Sequence, residues 1–431
     1  MLAALVASGE AVFVLPFVIP RVFRPTVLDV LGVDNTQLGL AFSTYGTVAM
    51  AAYLLGGPLA DRFSTRWMMT IALFATAVGG LYYASIPSTK GLVCLYGYWG
   101  VTTILLFWAG LLRATREWGG ESGQGRAYGL LDGGRGLLAA LLSSAAVGLF
   151  AVWLGPAEGA APEDQRAALQ AVILACSALT ACCGAAIWVL LPDSRQNAGP
   201  RWRPEQVKRL VKSPAVWLQG LIVVCAYVGY KGTDDLSLLA ADVLDYSDVE
   251  AATVGTLAFW IRPFAAISAG FLADRFGGWR IVAVGFGLLV ISDLGVVFGG
   301  MQLSTAVLFT SIVGACVAVY ALRGVYFALF RDASVPIGLT GTAVGLVSGV
   351  GYTPDIFFGP LMGWILDRSP GAVGHRDLFL VLAGFAATGL LATLGFAVFC
   401  RRTALSPAPS LADPGQAASE PAEARQYPPS R

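Results

Sequence analysis

Charged residues are scarce in this sequence, and their scarcity limits the class of protein. Lys, Arg, Asp and Glu together make up 13% of the 431 residues, whereas 56% are hydrophobic. Soluble domains carry about 25% charged residues. The formal net charge is +1 and no dense basic run occurs, so nucleic acid is not predicted as a partner.

Residues that build catalytic and metal centres are also few. The chain has one histidine, His375, which falls in a predicted loop, and its seven cysteines show neither metal-ligand spacing nor a disulfide framework. It contains no His-Glu-x-x-His, Gly-x-Ser-x-Gly or P-loop motif. We therefore predict that the protein is not an enzyme, needs no cofactor or metal, and does not hydrolyse ATP.

Apolar runs long enough to cross a bilayer as helices recur along almost the whole chain. Twelve spans are predicted, near residues 2–20, 37–60, 67–86, 91–112, 126–154, 167–191, 214–240, 250–272, 279–300, 303–329, 336–365 and 376–400. The sequence thus predicts an all-α membrane protein with twelve transmembrane helices in a lipid bilayer.

Two polar stretches divide the chain. The most charged one lies between spans 6 and 7, and a tail rich in Pro, Ala, Ser and Glu follows Arg402. We predict an N-terminal six-helix bundle (1–191), a cytoplasmic linker (192–212), a C-terminal six-helix bundle (213–402) and a disordered cytoplasmic tail (403–431).

Basic residues predict the orientation. With the N-terminus inside, most loop Lys and Arg residues fall in cytoplasmic loops, as the positive-inside rule requires. We expect a multi-pass protein of the plasma membrane, the inner membrane of a bacterium, with both termini in the cytoplasm.

The two bundles are predicted to be duplicates of one unit. "GGPLADRFST" at 56–65 returns as "AGFLADRFGG" at 269–278, 213 positions later. The helix-capping patterns Asp34-x-x-Gln37 and Ser247-x-x-Glu250 are separated by the same offset. Because each unit has an even number of spans, both have the same orientation and are pseudo-symmetric about an axis along the membrane normal.

Glycines repeat at a similar offset. Gly125, Gly129 and Gly133 in span 5 are matched by Gly341, Gly345 and Gly349 in span 11. A Gly-xxx-Gly face has no side chains, so we expect it to let a neighbouring backbone come close.

The duplicated string resembles the cytoplasmic loop signature of the major facilitator superfamily, roughly Gly-x-x-x-Asp-Arg-x-Gly-Arg-Arg. The matching residues are Gly57, Asp61 and Arg62 between spans 2 and 3, and Gly270, Asp274 and Arg275 between spans 8 and 9. The resemblance covers residues 1–402. It implies a transporter in which two bundles rock around a central site, and it places these six residues in gating loops.

By the same resemblance, Asp61 is expected near the N-terminus of helix 11 and Asp274 near that of helix 5 in the outward-open state, where the helix dipole favours a negative charge. Ser64 and Thr65 replace the usual Gly and Arg. The network around the first loop is therefore expected to be thinner.

Several charged residues lie inside the spans, where each costs on the order of 2.5–3.5 kcal/mol. They are Glu10, Asp132, Arg135, Lys231, Asp234, Asp235, Arg262, Asp293, Arg323 and Asp355. One interpretation is local pairing, of Asp132 with Arg135 at i,i+3 and of Lys231 with Asp234 at i,i+3 or with Asp235 at i,i+4. Arg262 and Arg323 have no acidic neighbour within a helix turn.

The other interpretation is a solute site. A guanidinium donates paired hydrogen bonds to phosphate or carboxylate and keeps its charge. We expect Arg262 and Arg323 to bind a small anion, with Arg135, Lys231 and Tyr352 contributing.

Four carboxylates are candidates for coupling transport to a proton or Na⁺, because burial favours protonation. They are Glu10, Asp132, Asp234 and Asp355. Asp355 lies in span 11, which is predicted to be broken at Pro354 and Pro360; the alternative for this residue is a helix cap near the outer surface.

The stretches "QGRAYGLLDGGRG" and "TGTAVGLVSGVGYTPD" resemble bacterial sugar-phosphate and organic-anion permeases. This resemblance implies a monomeric secondary transporter for a small, anionic organic solute, a sugar phosphate or carboxylate, driven by an H⁺ or Na⁺ gradient or by exchange for a counter-substrate. The alternatives are nitrate or nitrite transport, which an arginine in helix 8 suits, and a transporter-like receptor that binds a solute without moving it.

Overall fold

A computed structural model of the protein describes residues 1–119, 124–155, 161–193, 211–300, 304–333 and 340–405. Over these ranges the regular secondary structure is helical and includes no strand. The long segments are α1 Leu2–Val22, α2 Asn35–Arg62, α3 Thr65–Ala84, α4 Thr89–Gly119, α5 Gln124–Leu154, α6 Pro162–Leu190, α7 Pro214–Leu244, α8 Asp248–Phe276, α9 Gly278–Gly299, α10 Thr305–Ala328, α11 (Thr340–Gly351 and Pro354–Arg368) and α12 Ala372–Leu405.

Ten of these segments are long and apolar enough to cross a membrane. The prediction of an all-α membrane protein with twelve helical segments is confirmed. The predicted domain boundaries stay predictions, because most of the linker (194–210) and of the tail (406–431) lies outside the described ranges.

Both predicted capping boxes are present, and they begin equivalent helices. At α2, the Gln37 N–H donates to Asp34 Oδ1 (2.7 Å) and the Asp34 N–H donates to Gln37 Oε1 (3.3 Å). At α8, Ser247 and Glu250 cap each other in the same reciprocal way. Side chains thereby satisfy backbone donors that a helix start leaves without partners.

Six of the described helices depart from regular geometry. Wider turns occur in α1 at Val14–Val18, in α4 at Val101–Trp108 and in α9 at Val296–Gly300. Tight turns occur in α7 at Thr233–Asp235 and in α10 at Tyr326–Ala328. The α11 segment is interrupted before Pro354, as predicted. The second predicted break is wrong: Pro360 lies inside Pro354–Arg368, where one missing hydrogen bond does not end a helix packed closely against α2.

The α12 segment begins at Ala372. His375 therefore lies in its first turn, buried, rather than in the predicted loop. The apolar run used for the prediction starts only after this polar turn, so the start of the helix was placed too late.

Helices α1–α6 pack mainly on one another, as do α7–α12, and the halves meet where α2 packs on α11 and α5 packs on α8. A Cβ added at Gly39 would collide with the Gly359 carbonyl, and one at Gly363 would collide with the Asn35 backbone. These backbones touch near the end of the molecule that contains Asn35, Ser247 and Arg368. We call it the sealed end; the predicted orientation puts it outside the cell.

The predicted role of the glycine pattern in α5 and α11 is wrong where it is described. A Cβ added at Gly133, Gly345 or Gly349 would meet open space. The surroundings of Gly125, Gly129 and Gly341 lie outside the described residues. Close backbone contact occurs at other glycines because the halves meet at the sealed end.

Candidate functional site

Five charged side chains from four helices form a group around the middle of the molecule, which we call the arginine cluster: Glu10, Asp132, Arg135, Arg262 and Arg323. Arg135 Nε donates to the Gly9 carbonyl (3.0 Å) and lies 3.5 Å from Glu10 Oε2. Arg262 Nη2 donates to Asp132 Oδ1 at 3.1 Å. The cluster therefore contains one ion pair inside the N-terminal half and one that joins the two halves.

The predicted pairing of Asp132 with Arg135 is wrong. Although the residues are i,i+3 on α5, Arg135 reaches α1, where Gly9 leaves room for its side chain. Asp132 reaches Arg262 on α8 and keeps 67% of its side chain exposed. Arg135 and Asp132 therefore each pair with a residue on another helix instead of with each other.

Arg323 differs from the other two arginines. Its guanidinium lies 3.8 Å from the ring centre of Tyr230 and 5.5 Å from that of Tyr227. Its Nη1 is buried without a hydrogen-bond partner, and no described carboxylate lies within ion-pair distance of it. The cluster thus holds three cations and two carboxylates, which leaves one positive charge without an ionic partner.

Tyrosines cover one side of Arg323. The ring centres of Tyr227 and Tyr230 are 5.5 Å apart, and those of Tyr227 and Tyr352 are 5.0 Å apart. The hydroxyl of Tyr352 lies 3.4 Å from that of Tyr326. Tyr352, predicted from its position in span 11, thus belongs to a wall of polar rings beside the unpaired cation.

Lys231 belongs to a second group, which we call the latch: Arg21, Lys231, Asp234 and Asp355. Arg21 pairs with Asp234 across the two halves. Lys231 Nζ lies 3.2 Å from Asp234 Oδ2, the predicted i,i+3 pair, and 3.7 Å from Asp355 Oδ1. Two cations face two carboxylates, so the latch is balanced in charge.

Asp355 connects the latch to the tyrosine wall. The Tyr227 hydroxyl donates to both of its carboxylate oxygens, at 3.0 and 3.2 Å. The side chain of Asp355 is 19% exposed, whereas those of Lys231 and Asp234 are nearly fully buried. Asp355 is therefore the latch residue most open to water.

Arg21 was missed from the sequence because it falls between predicted spans 1 and 2. A signal was present: Arg21 and Asp234 are separated by 213 positions, the offset of the repeat. The residues occupy equivalent places in the two halves, and such places meet where a pseudo-twofold axis passes between them.

Further hydrogen bonds join the halves at the sealed end. The Asp367 carboxylate accepts from the backbone N–H groups of Asn35 (3.1 Å) and Thr36 (2.7 Å) and from their side chains. Ser237 Oγ donates to the Arg21 carbonyl (2.7 Å), and Asp248 accepts from Gln165 Nε2 (2.7 Å). These contacts hold the sealed end closed.

The gating loops are described only in part. The side chains of Asp61 and Arg62 and the surroundings of Gly57 lie outside the described residues. Gly270 faces open space, Asp274 is exposed, and the guanidinium of Arg275 lies 5.3 Å from the ring centre of Phe276. The approach of Asp274 to the start of α5 stays a prediction, because the side chains at 124–129 are not described.

Comparison with known proteins agrees with this architecture. The family model described as Major Facilitator Superfamily matches residues 2–352. The inner membrane protein YqcE of Escherichia coli (strain K12) is 27% identical over 429 residues, which cover 95% of this chain and 97% of that protein.

Two solved structures are similar in fold. A mutant of the nucleoside transporter NupG aligns with a TM-score of 0.72 at 13% identity, covering 92% of this chain and 98% of that one. A bacterial homologue of the human lysosomal transporter Spinster, solved inward-facing and unoccupied, aligns at 0.72 with 18% identity, covering 94% and 98%. At these identities the likeness concerns the fold alone.

Proposed function

The chain belongs to the Major Facilitator Superfamily, and from that premise we propose that it moves a small organic anion, a sugar phosphate or a carboxylate, across the membrane. As a member of that superfamily it is a membrane transporter that works by alternating access, not an enzyme. The proposal concerns the solute and the residues that bind it.

The unpaired guanidinium of Arg323 is the observation that carries the proposal. A buried cation without an anionic partner is unfavourable, so the site favours a ligand that brings one negative charge. Tyr227, Tyr230 and Tyr352 offer ring faces and hydroxyl groups to the rest of an organic molecule. Together these groups suit an anion with a polar or cyclic body.

Arg262 and Arg135 are proposed to exchange partners during transport. A solute anion that reaches Arg262 competes with Asp132, whose exposed carboxylate is then free to take up a proton or Na⁺. Glu10 beside Arg135, and Asp234 and Asp355 beside Lys231, are placed for the same exchange. Each of these four carboxylates lies next to an Arg or Lys side chain. We propose that this ion pair breaks when the solute or the coupling ion binds.

The cellular setting is proposed on two grounds. The positive-inside pattern predicts that both termini are in the cytoplasm, and a relative is an inner membrane protein. We propose that the chain acts as a monomer in the inner membrane of a bacterium, with the sealed end outside.

The test compares solute binding and transport in one purified protein. Sugar phosphates and carboxylates are screened by thermal shift, since a ligand that binds the native state raises its unfolding temperature, and hits are then assayed for uptake into vesicles. Arg323→Gln should weaken binding at least about tenfold, because a hydrogen bond to a charged group contributes roughly 1.5–3 kcal/mol. Arg368→Gln, at an exposed arginine stacked on Trp364, is the matched control and should bind as the native protein does.

The same assay contains the competing outcomes. Nitrate uptake without organic-anion uptake would favour the nitrate alternative, and binding without uptake would favour a receptor. Binding of an uncharged nucleoside, unaffected by Arg323→Gln, would contradict the proposal; the tyrosine wall and the likeness to a nucleoside transporter make it the necessary comparison.

A further inference from the structure

A group of three titratable side chains lies at the sealed end, apart from the arginine cluster and the latch. His375 Nδ1 is 2.7 Å from Asp235 Oδ2, and His375 Nε2 is 3.1 Å from Asp242 Oδ2. His375 and Asp235 have no exposed surface, whereas the Asp242 side chain is 35% exposed. We call these residues the histidine triad; they run from the molecular surface to a buried carboxylate.

Both ring nitrogens face carboxylate oxygens, and this fixes the number of protons in the triad. A neutral imidazole has one N–H, so its other nitrogen would turn a lone pair toward a carboxylate that can only accept. At such distances in a buried site, two acceptors repel each other. Two carboxylates beside one ring favour the imidazolium, whose two N–H groups donate to both of them.

Few other charged groups face the ring. On α12 itself, the neighbouring Arg376 and Asp377 are partly exposed and pair with each other at 2.9 Å. Arg24, in the short helix Arg24–Leu31 of the other half, is buried and attracted by Asp235. Burial lowers the pKa of Arg24 although Asp235, Asp234 and Asp367 favour its charge. The described residues offer no group of three or more ligands arranged to hold a metal ion.

We propose that Asp235, His375 and Asp242 form a proton-binding site that controls whether the sealed end stays closed. With the shared proton, the triad ties α7 to α12. Without it, the ring and a carboxylate repel each other across a hydrogen-bond distance, and α7 is loosened from α12. The proposal rests on alternating access and not on the identity of the solute.

The triad and the latch contain consecutive residues of α7. Asp235 follows Asp234 in the same tight turn of α7, and Asp234 holds Arg21 of the other half. Ser237, two residues further on, donates to the Arg21 carbonyl. A shift of this turn away from α12 therefore strains two contacts that join the halves. Asp242, on the exposed side, provides the route by which the proton exchanges with water.

The protonation state is tested by NMR on protein labelled with ¹⁵N-histidine. Because the chain has a single histidine, all signals belong to His375. We expect both ring nitrogens to carry a proton at pH 7 in the native protein, and one of them to lose it in Asp235→Asn. Asp377→Asn removes a partly exposed carboxylate that lies two residues further along α12. This variant is the matched control and should leave the spectrum unchanged.

The link to the sealed end is tested by thiol labelling from outside. Ser237→Cys is introduced in a chain whose seven native cysteines are replaced, so that only this buried position reports opening. The labelling rate is measured in this protein and in the same protein with His375→Gln, and the first rate is divided by the second. This ratio should rise at least about threefold from pH 6 to pH 9 as the triad loses its proton. The ratio removes the pH dependence of the thiol itself.

Two results would overturn the proposal: a neutral ring at pH 7 that Asp235→Asn does not change, or a labelling ratio that is flat with pH. If His375→Gln does not fold, Asp242→Asn replaces it, since this carboxylate is partly exposed. Neither measurement uses a solute, so a failure of organic-anion transport leaves this test intact, and the reverse also holds.

Discussion

At the residue scale, the Asp367 carboxylate is one of the groups that join the two halves of the molecule. Asp367 of α11 accepts hydrogen bonds from two backbone N–H groups in the first turn of α2. These donors have no partner within their own helix, and the N-terminal end of a helix attracts negative charge. Asp367 thus caps a helix of the opposite half, so it stabilises the closed sealed end.

Asp367→Ala should favour opening of the sealed end. Loss of a capping side chain costs about 1 kcal/mol, which corresponds to roughly a fivefold change in the equilibrium between closed and open forms. Thiol labelling of Ser237→Cys should quicken by that factor. Asp377→Ala, which removes a carboxylate that does not join the halves, should leave the rate unaltered; equal rates in the two variants would contradict the capping role.

The sequence was sufficient to predict which charged residues belong to the site, but not which residues they pair with. Hydropathy identifies Arg262, Arg323 and Lys231 as charges inside spans, because charge is unfavourable there. Spacing on one helix found Lys231 with Asp234, but it could not find Asp132 with Arg262, which are 130 positions apart and meet only after the halves pack. The same limit concealed the histidine triad, whose members come from α7 and α12.

At the scale of the helix, the position of a glycine determines whether it allows close contact with a neighbouring backbone. Gly39 and Gly359 bring the backbones of α2 and α11 into contact at the sealed end. Gly345, on the same helical segment α11, faces open space. The sequence pattern could not separate these two environments, because the difference depends on which ends of the helices touch.

Gly39→Ala should destabilise the protein, whereas Gly345→Ala should not. At Gly39 the added methyl group meets the Gly359 carbonyl, and overpacking of this kind costs about 1–3 kcal/mol. At Gly345 there is room, and alanine is favoured over glycine in a helix by about 0.5–1 kcal/mol. Thermal unfolding of the two purified variants in detergent measures the difference; a lower midpoint for Gly345→Ala than for Gly39→Ala would refute it.

At the scale of the whole molecule, the internal repeat predicts the arrangement of the helices in two halves. The offset of 213 residues, the capping boxes and the twelve apolar spans were sufficient to predict two six-helix units of equal orientation. They could not predict that one end is sealed, because one sequence must fold into every state of a transport cycle. The choice among states depends on a few contacts between the halves, and the Arg21–Asp234 pair among them is almost fully buried.

Removal of one latch residue should disturb the molecule more than removal of two. Asp234→Asn leaves Arg21 and Lys231 without a shared carboxylate, and breaking a buried pair in this way costs about 3–5 kcal/mol. Adding Arg21→Gln should recover more than about 1 kcal/mol of the free energy of unfolding. The double-mutant cycle of the partly exposed Arg376–Asp377 pair is the comparison and is expected to give less than about 1 kcal/mol. Similar values for both cycles would contradict the latch.

The location of the Arg21–Asp234 pair also bears on the ancestry of the chain. The residues are 213 positions apart, so they occupy the same place in the two copies. Two identical subunits joined about a twofold axis would oppose arginine to arginine, or aspartate to aspartate, at this point. Attraction there requires the copies to differ, which became possible once the gene had duplicated and each copy could mutate separately. The pair is therefore later than the duplication itself.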